Sequence, residues 1–331
     1  MTDVDAGILE LFESHDQRGL ARAISRAESG HGAALMNRLF ERTGRAMTIG
    51  LTGPPGVGKS TLCGALIGMA RREGKTVGVV SVDPSSPFSH GAILGDRIRL
   101  TEHFTDSEVF IRSMASRGHL GGLAGATGDA VAFMDAFGKD VVIVETVGVG
   151  QSEIEIAELA DTTLVALQPG SGDSVQLLKA GILEVADVFV VNKADHPMAL
   201  QLQRDIRSMM EMLDFSGWVP ELIATQAREG VGVADLWGAI ARHDAYLRES
   251  GALTVKRREA FAHRVRALVL GDLERRVETR IAALLASADE IPRDPYSVAD
   301  VLLRRVESAL PRDSGDDVPV AHALRSSVKG M

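Results

Sequence analysis

The 331-residue sequence carries a formal charge of −9, and apolar residues make up 45% of it against 4% aromatic ones, so a large core must be aliphatic. The acidic balance disfavours a nucleic-acid-binding face, and the one cysteine, Cys63, excludes an internal disulfide or the paired thiolates of a structural zinc site. The start, Met1-Thr2-Asp3-Val4-Asp5, is acidic, and no run of about 18 apolar residues occurs, so a soluble, cytoplasmic protein with no membrane partner is expected.

Residues 1–45 read as short helices broken at Gly19, Gly30 and Gly44, with Ile8, Leu9, Leu11, Phe12, Leu20, Ala23, Ile24, Leu35, Met36, Leu39 and Phe40 at three-to-four spacing. From 46 to about 225 the pattern changes to short apolar runs at 47–52, 77–82, 109–112, 141–144, 163–167, 188–191 and 221–224, with helical segments between most of them. Near-continuous apolar strands alternating with helices predict a mostly parallel sheet covered on both faces, with ligands bound at the C-terminal strand ends. A closing helix is expected at 232–250. Phe261, Val265, Val269, Leu273, Val277, Ile281 and Leu285 then recur every four residues, predicting a long amphipathic helix over 256–288 with Arg257, Arg258, Glu274, Arg275 and Glu278 on its other faces. A shorter helix follows near 298–310, and the tail 311–331 is polar. The expected fold class is α/β, a P-loop NTPase with helical extensions: 1–45, a nucleotide-binding domain at 46–250, and an arm and tail at 251–331.

The first apolar run leads into Gly53-Pro54-Pro55-Gly56-Val57-Gly58-Lys59-Ser60-Thr61 and then a helix, which is G-x-x-x-x-G-K-[ST] in its strand–loop–helix setting. Its glycines let backbone N–H groups curl round phosphates, and the helix N-terminus adds positive potential. Lys59 is expected to reach the β- and γ-phosphates, and the Ser60 hydroxyl to bind Mg²⁺.

Asn192-Lys193-Ala194-Asp195 follows the run at 188–191. A carboxylate at Asp195 can accept from guanine N1–H and the exocyclic amine together, whereas adenine would leave it desolvated and unpaired. Downstream of a P-loop this pattern points to GTP. After the run at 221–224 come Thr225-Gln226-Ala227, at the place where a backbone N–H can meet the guanine carbonyl.

Four acids or hydroxyls are candidates for the metal. Ser60 and Asp96 are expected as near ligands of Mg²⁺, which takes hard oxygen donors and keeps several waters. Asp83, before Pro84, and Glu145, at the end of the 141–144 run, are expected to act through water. Asp83 also suits a turn, and Asp96 a helix N-cap. Gly148 is the expected γ-phosphate sensor. Lys59 and Glu145 are candidate catalytic groups, and Gln151, with Lys179 as a rival, is the candidate to orient the attacking water.

The segments 53–61, Val82-Asp83-Pro84-Ser85-Ser86-Pro87, Gly91-Ala92-Ile93-Leu94-Gly95-Asp96-Arg97, Arg117-Gly118-His119-Leu120-Gly121-Gly122-Leu123, Glu145-Thr146-Val147-Gly148-Val149-Gly150-Gln151-Ser152-Glu153 and 192–195 together resemble the MeaB/ArgK-type P-loop GTPases, in which Glu145 replaces the usual Asp. The resemblance covers roughly 45–240. It implies a homodimer that binds the adenosylcobalamin-dependent methylmalonyl-CoA mutase as a GTP-dependent chaperone, gating cofactor loading and protecting the enzyme. The sequence has no Asp-x-His-x-x-Gly, so the corrinoid is expected to stay on the partner. A metallochaperone GTPase for another metalloenzyme and a small-molecule kinase are the alternatives; one cysteine and nine scattered histidines speak against metal delivery. The loop Gln168-Pro169-Gly170-Ser171-Gly172-Asp173 is the candidate relay of nucleotide state, or else an ordinary strand-to-helix connection.

Overall fold

A computed structural model of the chain describes residues 2–84, 100, 102–116, 126–146, 152–171, 184–215, 217–287 and 294–309. Seven strands form one sheet: β1 (Met47–Thr52), β2 (Val77–Pro84), β3 (Val109–Ser116), β4 (Val141–Glu145), β5 (Thr162–Leu167), β6 (Val188–Asn192) and β7 (Glu221–Thr225). Their order is β3-β2-β4-β1-β5-β6-β7, with every pairing parallel. All seven expected runs are strands. The central four are buried along their whole length, which is why they appear as unbroken apolar runs rather than alternating ones. β3 runs four residues past its expected end, because Ser113–Ser116 continues the ladder against Ser81–Pro84.

The chain leaves β1 for β2, on the far side of β4, while β5 lies on the other flank of β1. The C-terminal end of β1 is therefore a topological switch point, where the sheet opens a crevice for a ligand.

Helices cover both faces. On one, α4 (Lys59–Arg72) and α8 (Val233–Glu249) bury Leu62, Leu66, Leu236 and Ile240 against Ile49, Leu51, Val79 and Ile143. On the other, α1 (Asp3–Glu13), α2 (Gln17–Glu28), α3 (Ala33–Leu39), α5 (Ala126–Ala136) and α6 (Ser152–Leu159) pack over β2 and β4. The three N-terminal helices share this core: Phe12 meets Phe133 and Phe137 edge-on, with ring centroids 6.4 and 5.1 Å apart. α7 (Ala199–Met210) covers β5 and β6 through Leu202 and Ile206.

Next come α9 (Ala252–Ser287) and α10 (Pro295–Ala309). The chain divides into two compact units, Met1–Leu268 and Val269–Met331. In the first, the opening turns of α9 are clasped to the N-terminal strand ends. Arg257 donates to both oxygens of Asp161 (2.9 and 2.8 Å) and to the Ala46 carbonyl (2.8 Å), while Lys256 donates to Asp187 (3.0 Å) and the Asp161 carbonyl (2.7 Å). Asp161 also accepts from Thr48 N–H and Asp187 from Thr163 N–H. In the second unit, Asp272 pairs with Arg275 and Arg276 on the exposed helix surface. Among the described residues no helix is long and apolar enough to cross a membrane.

Candidate functional site

The phosphate-loop residues lie at the switch point, between β1 and α4. Gly53, Gly56 and Gly58 hold φ of +139°, +78° and +95°, values that L side chains rarely adopt. Space enforces the same choice: a Cβ at Gly53 would lie on the Ala166 carbonyl, and one at Gly58 would come 2.7 Å from Asn192 Nδ2. Val57 is wholly buried and anchors the loop floor, whereas Pro55 and Gly56 at its crest are exposed. Pro54 is buried, and Thr61, on the first turn of α4, faces outward.

Lys59 is buried, with its Nζ donating to the carbonyls of Gly53 (2.7 Å) and Pro54 (3.1 Å). The ammonium is thus held inside the loop curve, where phosphate oxygens would compete for it. One residue on, Ser60 Oγ donates to Glu145 Oε1 across 2.7 Å. Glu145 sits at the end of β4, in register with Leu51 of β1 on one side and Ser81 of β2 on the other. Ser81 Oγ donates to the second carboxylate oxygen at 3.4 Å. Three elements thus converge on one buried carboxylate, and the donors are hard oxygens of the kind Mg²⁺ takes, with a hydroxyl and a carboxylate already adjacent. The residues fit the ion, and Ser60 and Glu145 are the side chains that would hold it, directly or through water.

Sequence reasoning missed Ser81 and also the pair behind it. Thr146 donates its N–H to the Leu51 carbonyl and its Oγ1 to Thr52 Oγ1, both at 3.1 Å, which fastens the end of β4 to the end of β1. Strand parity beside Glu145 was the available signal for Ser81. Burial, reinforced by the charge of Glu145, pushes the Cys63 thiol well above its ordinary pKa, so Cys63 serves α4 as a small apolar side chain.

Asn192 ends β6 and is buried. Its Nδ2 donates to the Val57 carbonyl (2.8 Å), while its Oδ1 accepts from Thr225 Oγ1 (3.0 Å) and Ala227 N–H (3.1 Å). One amide therefore locks the end of β6 to the phosphate loop and to the end of β7. Lys193 has φ +56° and reaches back to the Gly56 carbonyl (2.8 Å) and Gln168 Oε1 (2.6 Å). Asp195 is exposed in the turn before α7. Gln226 exchanges backbone hydrogen bonds with Val231, so of the two amides expected near the base, only that of Ala227 lies beside the Asn192 cluster. A guanine carbonyl would share that N–H with Asn192.

The structure thus brings together Gly53, Pro54, Pro55, Gly56, Val57, Gly58, Lys59, Ser60, Glu145, Asn192, Lys193 and Ala227. Asp83 lies in β2, paired with Ala115, and its side chain falls outside the described residues. Asp96, Gly148, Gln151 and Lys179 also lie outside them, as do Gly172 and Asp173 of the expected relay loop. Among the described residues no three His, Cys, Asp or Glu side chains gather as a metal cluster.

Comparison with known proteins gives a consistent result. The family model of the methylmalonyl Co-A mutase-associated GTPase MeaB matches residues 20–282. A Pyrococcus horikoshii protein, named as a candidate GTPase, is 44% identical over 310 residues, covering 90% of this chain and 97% of its own length. The mouse (Mus musculus) protein named the mitochondrial methylmalonic aciduria type A homolog is 34% identical over 259 residues, covering 72% of this chain and 62% of its own. A solved structure titled as a LAO/AO transport system kinase superposes with a TM-score of 0.67 at 25% identity, covering 93% of this chain and 99% of that one.

Proposed function

The chain belongs to the MeaB family of methylmalonyl-CoA mutase-associated GTPases, and from that premise we propose that it is a Mg²⁺-dependent GTPase controlling a partner mutase. The observation that carries the base assignment is the Asn192 amide, which ties the guanine-reading segment directly to the phosphate loop at Val57. Asp195 reads the guanine edge, Lys59 holds the β- and γ-phosphates, Ser60 and Asp96 are the near ligands of Mg²⁺, and Glu145 and Asp83 act on it through water. Gly148 senses the γ-phosphate, and Gln151 orients the attacking water. Mg²⁺ supplies charge neutralisation at the transferred phosphoryl group. The test is phosphate release with Mg²⁺ from GTP and from ATP: GTP is turned over and ATP is not, and equal turnover of both would overturn the assignment.

The client in this proposal is methylmalonyl-CoA mutase, whose adenosylcobalamin loading the GTP and GDP forms gate and whose activity they protect. The family's association with that mutase supports it. A nucleotide switch does work only if its two forms bind a partner differently, and by reciprocity the partner then alters nucleotide affinity. A homodimer belongs to the same reading. On α9, Phe261, Val265 and Leu268 are 45, 43 and 51% exposed on one helix face, apolar surface suited to a second protomer.

A further inference from the structure

Lys193 and Gln168 are joined across two loops that the sequence keeps 25 residues apart. Gln168 follows β5, and Lys193 follows β6, its paired neighbour. The lysine backbone is held in the left-handed region by its turn: Ala194 N–H donates to the Thr225 carbonyl, and His196 N–H to the Lys193 carbonyl. Its side chain is exposed, a setting in which a four-carbon stem with a compact ammonium ordinarily samples many rotamers. Here the ammonium has two acceptors, the Gly56 carbonyl at 2.8 Å and Gln168 Oε1 at 2.6 Å, so both ends of the stem are fixed. A methylene stem stretched from the guanine-reading turn to the crest of the phosphate loop presents a flat apolar edge to a purine ring. The loops also meet one turn further on. Gly170 has φ +75°, and a Cβ there would come 3.3 Å from His196 Cε1, so no side chain separates them.

We propose that Gln168 is a positioning residue for guanine-nucleotide binding: by holding the Lys193 ammonium it pre-orders the stem against which the base packs. The Gly56 carbonyl alone leaves the ammonium free to turn about a single acceptor; the amide of Gln168 removes that freedom before the nucleotide arrives, so less is lost on binding. The same bond ties the 168–171 segment to the base-reading turn. This inference rests on the assignment of residues 192–195 to guanine.

The test is dissociation of a fluorescent GDP analogue from the full chain carrying Gln168→Met, which keeps the shape and removes the acceptor, and from Gln168→Ala as a second shape. Each should release the nucleotide about 3- to 10-fold faster, the equivalent of one side chain's ordering. Gln168→Glu, whose carboxylate accepts from an ammonium, should restore the slow rate. Pyrophosphate has no base, and its affinity should not move. In a Lys193→Met background, Gln168→Met should add nothing further, since the cycle isolates the pair. Unchanged release in both Gln168 variants, effects additive with Lys193→Met, or equal weakening of pyrophosphate would overturn the proposal. If Lys193→Met and Asp195→Asn themselves leave GDP binding untouched, the guanine assignment fails instead.

Discussion

Ser60 Oγ and Glu145 Oε1 stand 2.7 Å apart, joining the first turn of the phosphate-loop helix to the end of β4. The contact puts a hydroxyl and a carboxylate side by side within the crevice beside β1. Glu145→Ala should therefore lower Mg²⁺-dependent GTP hydrolysis about 10- to 100-fold, the usual effect of removing a group that orients a metal's ligands. GDP binding without Mg²⁺ should change much less, because the loop backbone and Lys59 hold the phosphates. Isothermal titration beside steady-state turnover separates the two, and equal losses would make Glu145 a structural residue only.

Asp195 is exposed at the turn after β6. Asp195→Asn should weaken GTP by about 2–3 kcal/mol through loss of a charge-assisted pair. It should also admit xanthosine triphosphate, whose N1 and C2 edge complements an amide. Competition binding with the two nucleotides reads this directly, and an unaltered preference would remove Asp195 from base recognition.

Arg257 is bidentate on Asp161, whose side chain is only 5% exposed. Arg257→Ala leaves that carboxylate buried without its partner and should lower stability by about 3 kcal/mol, measured by urea unfolding. The same clasp governs where the chain can be shortened. A chain ending at Ser250 loses Lys256 and Arg257 and should unfold earlier, whereas one ending at Leu268 keeps both. Light scattering on the Leu268 form should give the monomer mass, against twice the 35.3 kDa chain mass for the full protein. A dimer that survives this shortening would place the protomer contact elsewhere.

The sequence displayed β1, β4, β5 and β6 most plainly because they are buried on both faces, which forces unbroken apolar runs. The phosphate loop was legible because its positive-φ positions demand glycine in a fixed pattern. Contacts made by ordinary polar residues across the fold were not. Arg257 reads as part of a solvated helix face, yet it pairs with Asp161 across 96 residues. Ser81 belongs to no motif, and Thr146 and Gln168 lie in segments singled out for other residues; the sheet register places Ser81 beside Glu145, and side-chain bonds join Thr146 to Thr52 and Gln168 to Lys193.

His243 is buried on α8, its Nδ1 2.8 Å from Thr162 Oγ1 and its Nε2 3.3 Å from Asp187. Burial lowers its pKa below the ordinary 6.5, outweighing the opposing pull of Asp187. A depressed histidine pKa means that the unfolded chain takes up the proton first, so stability falls as pH drops below 6.5 toward the folded-state value. His243→Gln should flatten that decline, seen as urea midpoints at about pH 7.5 and about pH 5.5. An equally steep decline in the variant would assign the acid sensitivity to other groups.

The central claim is that the GTP and GDP forms differ in their hold on the mutase. Purified methylmalonyl-CoA mutase titrated into the protein, once with GDP and once with a non-hydrolysable GTP analogue, measures this directly. A coupling of about 1–3 kcal/mol predicts affinities that differ about 5- to 150-fold between the two states, with nucleotide affinity shifted by the same factor when mutase is present. Identical affinities in both states, with nucleotide binding and turnover indifferent to the mutase, would contradict it.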